Sequence, residues 1–485
     1  MKEGLAKIVG QENVLDDPGT LRQYAGDQSF VQPAQPWCVV RPSGTQQVQD
    51  LVKWANDKGE PLTPVSSPGG PRFRGDTIPS QGGIVVDLST MNAILNIDRR
   101  DKVAVVEPGV TWNQLEPELR KHGLRAVKPL LPRGTKSVVA GCLEREPIVI
   151  PREHWDSLDP LICVEVIFGN GELFRTGSAA CPPMDLKEQI KMGLRQVCPH
   201  GPGPLNFARV LQGAQGTMGI VTWASVVCGI LPEIEKSFFV GSDRIEPVVE
   251  LAYHLTRRRL GEELFILNNF HLANIFANDA TDIAKLAGQL PAWVLALNLT
   301  AQGYSTEKRM NYQELDVKDM VQQLGLSLVP SLCGFSAKTL MKLQATPPEA
   351  PYKLKFKGGC ADIFFTTTMD KSIELIAEAH QDLERHKYPT AELGIYLQPT
   401  VQGCNCHCEL NLPYDPHNDL ETALAKKIDA QTSAALSDKG AFFSRPYGAW
   451  ADKAFRKDAE STALLRKVKT MYDPKAIMNP GKLCF

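Results

Sequence analysis

The stretch Pro61-Leu62-Thr63-Pro64-Val65-Ser66-Ser67-Pro68-Gly69-Gly70 decides the reading. Its first half, Pro61–Ser66, reads as a buried strand, and its second half as a turn of small residues. Small side chains let backbone N–H groups approach a phosphate, although an ordinary tight turn asks for the same residues. Before it, Val39–Val40 reads as a short strand. A stripe of Val48, Leu51, Val52 and Ala55 then makes Gln46–Asp57 a helix that stops at Gly59. After it, Gly83–Leu88 and Val103–Val106 are further buried strands.

The alternation continues outward. Thr111 and Gln114 have capping-box spacing and open a helix closed by Gly123, with Pro117 inside it as a local inconsistency. Leu161–Phe168, Gly169-Asn170-Gly171 and Glu172–Arg175 read as a hairpin. Gly219–Trp223 is another strand, and this region ends near Pro232. From about 236 to 440 the rhythm changes. Helical stripes (Val248–Arg258, Asp316–Leu324, Lys371–His386, Leu420–Leu436) alternate with strands (Trp293–Leu299, Ala361–Thr367, Leu393–Pro399, Cys404–Leu412). That predicts an α+β layer, an antiparallel sheet with helices on one face. A helix over Ala459–Tyr472 and an irregular tail close the chain, and Met184–Pro204 reads as a loop-rich insertion. The expected division is 1–235, 236–440 and a returning segment, 441–485.

With 485 residues, 43% apolar and 22% charged, the composition is that of a globular chain. A formal charge of −2 gives no case for a general nucleic-acid binder. The apolar run Gly219–Leu231 is short and interrupted by Thr222, Ser225 and Gly229, so no membrane span is expected. Twelve cysteines are too sparse for a disulfide scaffold, and the opening residues carry no apolar leader; both predict a cytoplasmic protein. No CxxC pair occurs, which argues against an iron–sulfur cluster or zinc ribbon within the chain.

Neither GxGxxG after a strand nor GxxxxGK[ST] is present, which disfavours a nicotinamide dinucleotide site. Three glycine-bearing segments remain: Ser66–Gly70, Glu107-Pro108-Gly109 and Gly213–Gly219. A second local feature is Cys404-Asn405-Cys406-His407-Cys408. On an extended strand its thiols face one side, where they form a packed face or a soft-metal site, and Asn405, His407 and Glu409 face the other.

Taken in order, five blocks resemble one family: CVVRPSGTQQVQDLVKWANDKGEPLTPVSS, GGIVVDLSTMNAILNID, VAVVEPGVTWNQLEPELRKHGL, ICVEVIFGNGELFRTG and LQGAQGTMGIVT. They are similar to the FAD-binding domain of the vanillyl-alcohol oxidase and p-cresol methylhydroxylase (PCMH-type) superfamily, and the closing YDPKAIMNPGKL is similar to its C-terminal signature. His154-Trp155 before the hairpin, and the loop-rich insertion, pull toward the phenol-oxidising branch. The hydroxy-acid branch's GDGNLH metal motif is missing, so no metal site is expected. The resemblance implies an α+β fold: a two-subdomain FAD-binding domain plus a cap whose antiparallel sheet is covered by helices.

It also implies FAD as cofactor. Carried over residue by residue, Val65, Ser66, Ser67, Gly69 and Gly70 would cradle the pyrophosphate. Pro132, Gly141, Cys142, Gly216, Thr217, Gly219 and Ile220 would line the rest, and Lys482 would lie near the ring or ribityl chain. His407 falls where this branch has a strand histidine reaching the flavin, as tether or as base, and Glu409 would orient it or bridge to a basic neighbour. The phenol enzymes hold a phenolate with two tyrosines and an arginine; the matched positions here are Trp112, Trp450 and Ala451. Where they place an acid near the flavin, this chain has Leu131-Pro132-Arg133-Gly134. Arg133 suits a carboxylate, and Arg72, Arg74 and Arg445 are further basic candidates. The expected activity is that of an FAD-dependent dehydrogenase acting on a small carboxylate-bearing substrate. Candidate catalytic residues are His407, Arg133, Glu409 and Trp450. Electrons would pass to a separate iron–sulfur or cytochrome partner or to dioxygen, and the chain could form homo-oligomers. The alternatives are a phenol oxidase and a flavoprotein relay subunit of a larger complex.

Overall fold

The computed structural model describes residues 1–151, 160–180, 184–203 and 206–485. The His154-Trp155 pair lies outside the described residues. A first sheet has the order β1 (Val14–Leu15), β2 (Cys38–Val40), β4 (Ile84–Asp87), β3 (Leu62–Val65). β2, β4 and β3 run parallel, and β1 pairs antiparallel. The helix Thr45–Lys58 makes the crossover between β2 and β3 and buries Val48, Leu51, Val52 and Ala55, the stripe visible in the sequence. Parallel strands need cover on both faces, and β2 and β4 are buried throughout. β3 therefore ends inside the molecule and delivers Ser66 and Ser67 there.

A second, antiparallel sheet comprises β5 (Ile94–Asp98), β6 (Val103–Val106), β10 (Gly219–Ile230), β8 (Leu161–Phe168) and β9 (Leu173–Arg175), with β7 (Leu124–Ala126) on the far end of β10. The capping box at Thr111 and Gln114 is present, and the helix it opens, Trp112–Lys121, carries Pro117. A proline there removes one backbone bond and crowds the preceding turn, and the hydrogen-bonded cap offsets part of that.

The third sheet is antiparallel throughout: β14 (Leu328–Val329), β11 (Ile234–Ser242), β13 (Trp293–Ala301), β12 (Leu264–Asn268), β18 (Gly394–Thr400), β19 (Asn405–Tyr414), β17 (Gly359–Thr367). The helices Ile245–Arg257, Thr306–Gln323, Met369–Arg385 and Asp419–Asp438 pack on one face in a single apolar core. The second of these helices starts ten residues before the expected Asp316 because its first half is polar and shows no stripe. The other face is not bare: Asn269–Phe276 and Ala337–Ala345 cover part of it in a second core with Phe265, Leu267 and Tyr396. Cys406 and Cys408 enter the first core as expected. Cys404 does not share their face; β19 begins at Asn405, and Cys404 is exposed in the turn before it. The face of three thiols is therefore a face of two.

Two buried charge clusters tie the parts together. Arg125 on β7 donates to Glu262 and Glu263 at 2.7 Å each, joining the second sheet to the third. In the returning segment, Lys469 bonds the Asp473 carboxylate and the carbonyls of Thr217 and Met478. Leu62 then exchanges backbone bonds with Ile477 and Asn479 at 2.8 Å, so the tail runs alongside β3.

Candidate active site

One cavity lies where the sheets meet. β3 contributes Val65 and the following Ser66 and Ser67; the segment after the glycines contributes Arg72, Arg74 and Asp76. Leu131, Pro132 and Arg133 form one side, and Gly216, Gly219 and Ile220 another. The third sheet closes it with Asp362 from β17, Tyr396 from β18 and Glu409 from β19, joined by Tyr352, Lys353, Arg445 and Tyr447.

The glycine loop has open space around it. Gly69 has φ +61, and a Cβ placed on it would meet nothing within 4 Å; at Gly70 the nearest atom is 3.8 Å away. Ser67 Oγ accepts from the Ser137 N–H at 3.0 Å, and Arg133 donates to the Gly70 and Pro68 carbonyls at 2.8 and 3.2 Å. The loop is thus braced by Ser137 and Arg133; Ser66 and Ser67 line the cavity, whereas Gly69 and Gly70 are exposed beside it and do not line it. The opposite glycines serve close packing instead. A Cβ at Gly216 would lie 2.6 Å from Pro64 Cγ, and one at Gly219 would lie 2.5 Å from the Ile167 carbonyl.

Positive charge concentrates on one side. Arg74 pairs with Glu146 at 3.0 Å, and Lys136 bonds Glu144 and Glu146 at 2.9 Å each. Arg445 is 5% exposed, with its Cζ 4.3 Å from the Phe364 ring centroid, and its Nη1 has no hydrogen-bond partner. Burial, then the neighbouring Arg74 charge, lowers its affinity for a proton. Asp76 is the exception in this region. Burial and the nearby Glu144 and Asp27 push its carboxyl up to about 7.

Negative charge concentrates on the other side. Lys353 bonds Glu409 Oε1 and lies 2.9 Å from Asp362 Oδ2. Asn411 donates to both carboxylates, to Asp362 Oδ1 at 2.6 Å and to Glu409 Oε1 at 2.8 Å. Burial opposes the Glu409 charge, but Lys353 outweighs it and holds the carboxyl well below its usual range. His407 lies behind this wall, 4% exposed, with Nε2 3.5 Å from Glu409 Oε2 and no hydrogen-bond partner. Burial, only partly offset by Glu409, pushes it down to about 4. A second buried histidine, His271, shares a 2.8 Å hydrogen bond with the Tyr352 hydroxyl, and burial pushes it down to about 3.

The cavity brings together Val65, Ser66, Ser67, Pro132, Arg133, Gly216, Gly219, Ile220 and Glu409 from the sequence reading. Other candidates stand just outside its surface. Gly141 packs on Trp112, Cys142 joins the core beneath, and Thr217 donates to the Ala214 carbonyl. Lys482 donates to the Gly75 carbonyl at 2.6 Å. Trp450 is off the surface too, edge-on to Phe364 at 5.1 Å. Arg133 lines the cavity while its Nη1 braces the glycine loop. Trp112, Trp450 and Ala451, the positions matched to the phenolate binders, do not line this cavity, and its tyrosines, Tyr352, Tyr396 and Tyr447, come from other positions. Sequence reading missed these three, together with Lys353, Asp76 and Asp362. Tyr396 and Asp362 reach the site through strand register, β18 and β17 each pairing with β19, which no local pattern encodes.

Comparison with known proteins gives this architecture its class. Residues 36–177 match the FAD binding domain family. The chain is 26% identical to the 4-cresol dehydrogenase [hydroxylating] flavoprotein subunit of Pseudomonas putida, covering 98% of this chain and 93% of that one. It is 23% identical to a D-2-hydroxyglutarate dehydrogenase of Stutzerimonas stutzeri, covering 99% and 97%. Its fold matches crystalline p-cresol methylhydroxylase with a TM-score of 0.84, at 20% identity over 100% of this chain and 96% of the other. The chain is an FAD-linked oxidoreductase with an FAD binding domain at residues 36–177, and it has the fold of p-cresol methylhydroxylase. The site fits FAD: Ser66, Ser67, Gly216 and Gly219 line the cavity, and small residues let N–H groups approach a pyrophosphate. Among the described residues no helix is long and apolar enough to cross a membrane.

Proposed function

We propose that this enzyme is a dehydrogenase for a small carboxylate-bearing alcohol, a hydroxy acid. The observation that carries this reading is Arg445. A buried guanidinium without a carboxylate partner is costly, and an anionic group of the substrate would relieve that cost while being held by two parallel N–H bonds. Bound FAD supplies the two-electron acceptor. The chain's own residues bind and orient: Val65–Gly70 and Gly216–Ile220 hold the cofactor, Arg133 shapes the glycine loop, and Arg74 and Arg445 fix the substrate's charge. Residues 1–235 and 441–485 would form the cofactor part, and 236–440 the substrate part. No haem or CxxC motif stands in the sequence, so the electrons would leave to a separate partner protein or to dioxygen. The name of the Pseudomonas putida relative, a flavoprotein subunit, agrees with the former.

A second reading, oxidation of a 4-alkylphenol, is supported by Tyr352, Tyr396 and Tyr447 beside the two arginines and by the likeness to p-cresol methylhydroxylase. Anaerobic bleaching of the bound flavin decides between them. The panel is D-lactate, glycolate and D-2-hydroxyglutarate against 4-cresol and vanillyl alcohol. Rapid bleaching by a hydroxy acid supports the first reading, and bleaching by phenols alone overturns it.

A further inference from the structure

Glu409 and His407 divide the work of a base in an unexpected way. Glu409 reaches the cavity, and His407 does not. The two oxygens of Glu409 are not equivalent. Oε1 accepts from Lys353 and from Asn411, whereas Oε2 faces the unpartnered Nε2 of His407 at 3.5 Å. The charge count around them is unbalanced as well: one ammonium, Lys353, stands against two carboxylates, Asp362 and Glu409, with a neutral imidazole alongside. This group lacks one proton. The other groups facing His407 are Tyr396 on β18, its ring 5.8 Å away, and the charges of Arg74 and Arg445. The two arginines oppose an imidazolium at rest. Their opposition would fall once an anionic substrate neutralises part of that charge.

We propose that Glu409 Oε2 takes the hydroxyl proton of the substrate and passes it to His407 Nε2, which stores it. This rests on the reading above that the substrate is a hydroxy acid. As the alcohol becomes a carbonyl, its C–H bond breaks with both electrons going as hydride to the FAD. Its O–H bond breaks with the proton going to Glu409, and the O–H electron pair completes the C=O bond. Transfer to His407 restores the Glu409 carboxylate and leaves a neutral cluster of two cations and two anions. Glu409 is then the catalytic residue. His407 acts through it, gaining its proton only when the site already holds an anion.

The relay requires that resting His407 carry its hydrogen on Nδ1 and leave Nε2 bare, and nitrogen NMR of the histidine-labelled holoenzyme reads this directly. A bare Nε2, with a signal that moves in Glu409→Gln, is the expected result; an Nε2–H tautomer, or a signal indifferent to Glu409→Gln, overturns the relay. The kinetic arm uses D-lactate, glycolate and D-2-hydroxyglutarate in anaerobic stopped flow. Glu409→Gln should slow flavin reduction by roughly 10²–10⁴-fold, the range of general-base contributions. His407→Asn should slow it less and shift its pH profile, which a merely structural histidine would not do. A His407→Asn profile parallel to the parent overturns the relay while leaving the substrate reading intact. If none of the three acids bleaches the flavin, the substrate reading falls, and the tautomer measurement still decides whether the pair is built as a proton store.

Discussion

Arg74 and Arg445 meet on one aromatic ring, their guanidinium carbons 4.4 and 4.3 Å from the centroid of Phe364, yet only Arg74 has carboxylate partners. Two like charges so close are tolerable because Glu144 and Glu146 neutralise the first and the ring face attracts both. The second is held ready for a charge that the chain itself does not supply.

Replacing Arg445 with Met is therefore expected to separate binding from stability. Loss of a buried charged contact to an anion costs about 2–5 kcal/mol, so kcat/KM for a hydroxy acid should fall by at least tenfold. Thermal stability should hold or rise, because an uncompensated buried charge has been removed. Stopped-flow flavin reduction together with a melting curve checks both. A large drop in Tm with unchanged kcat/KM would assign Arg445 to structure alone.

The glycine loop makes a second prediction. Gly69→Val combined with Gly70→Val places side chains in open space and forces a β-branched residue to φ +61. The protein should emerge from gel filtration folded and colourless. Full absorbance near 450 nm in the double variant would show that the cofactor is held elsewhere.

How much of this was legible beforehand follows the range of the interactions. Helix Thr45–Lys58, the Thr111 capping box, the β8–β9 hairpin and helix Ala459–Tyr472 were readable, because stripe, cap and turn chemistry act within a few residues. The alternation on β19 was readable for the same reason, and it placed Cys406 and Cys408 opposite His407 and Glu409. That Glu409 reaches the cavity while His407 stays behind it was not. The difference comes from Lys353, fifty-six residues earlier, drawing the carboxylate forward. Tyr352 and Tyr396 were invisible because register, not local sequence, brings them to the wall. The bracing of the glycine loop by Arg133 was invisible because its partners are backbone carbonyls, which side-chain matching does not consider.

Arg125 offers a test of how the second and third sheets are coupled. Arg125→Met leaves Glu262 and Glu263 buried beside one another without their shared cation. Breaking such a cluster costs about 3–5 kcal/mol. The urea midpoint should fall accordingly. Adding Glu262→Gln and Glu263→Gln to Arg125→Met should recover a good part of the loss. If the triple variant is no more stable than the single one, the loss came from packing of the arginine stem and not from stranded charge.

The last prediction concerns acid stability. His271 and His407 are both neutral in the fold, pushed down to about 3 and about 4 from an ordinary 6.5. A group with a depressed folded value binds protons preferentially when unfolded. Its contribution is therefore fully present above about pH 6.5 and is lost as pH falls toward the folded value. The slope approaches about 1.4 kcal/mol per pH unit for each such group within that window. His271→Gln keeps a partner for the Tyr352 hydroxyl while removing one titrating group. Its urea midpoint, followed from pH 7.5 to pH 4.5, should fall less steeply than that of the parent. The comparison cancels the other titrating groups, including Asp76, whose raised carboxyl acts in the opposite sense by losing stability as pH rises from about 4 to about 7. Parallel curves for parent and variant would mean that His271 binds its proton equally in the folded and unfolded states, and that its burial does not disfavour the imidazolium.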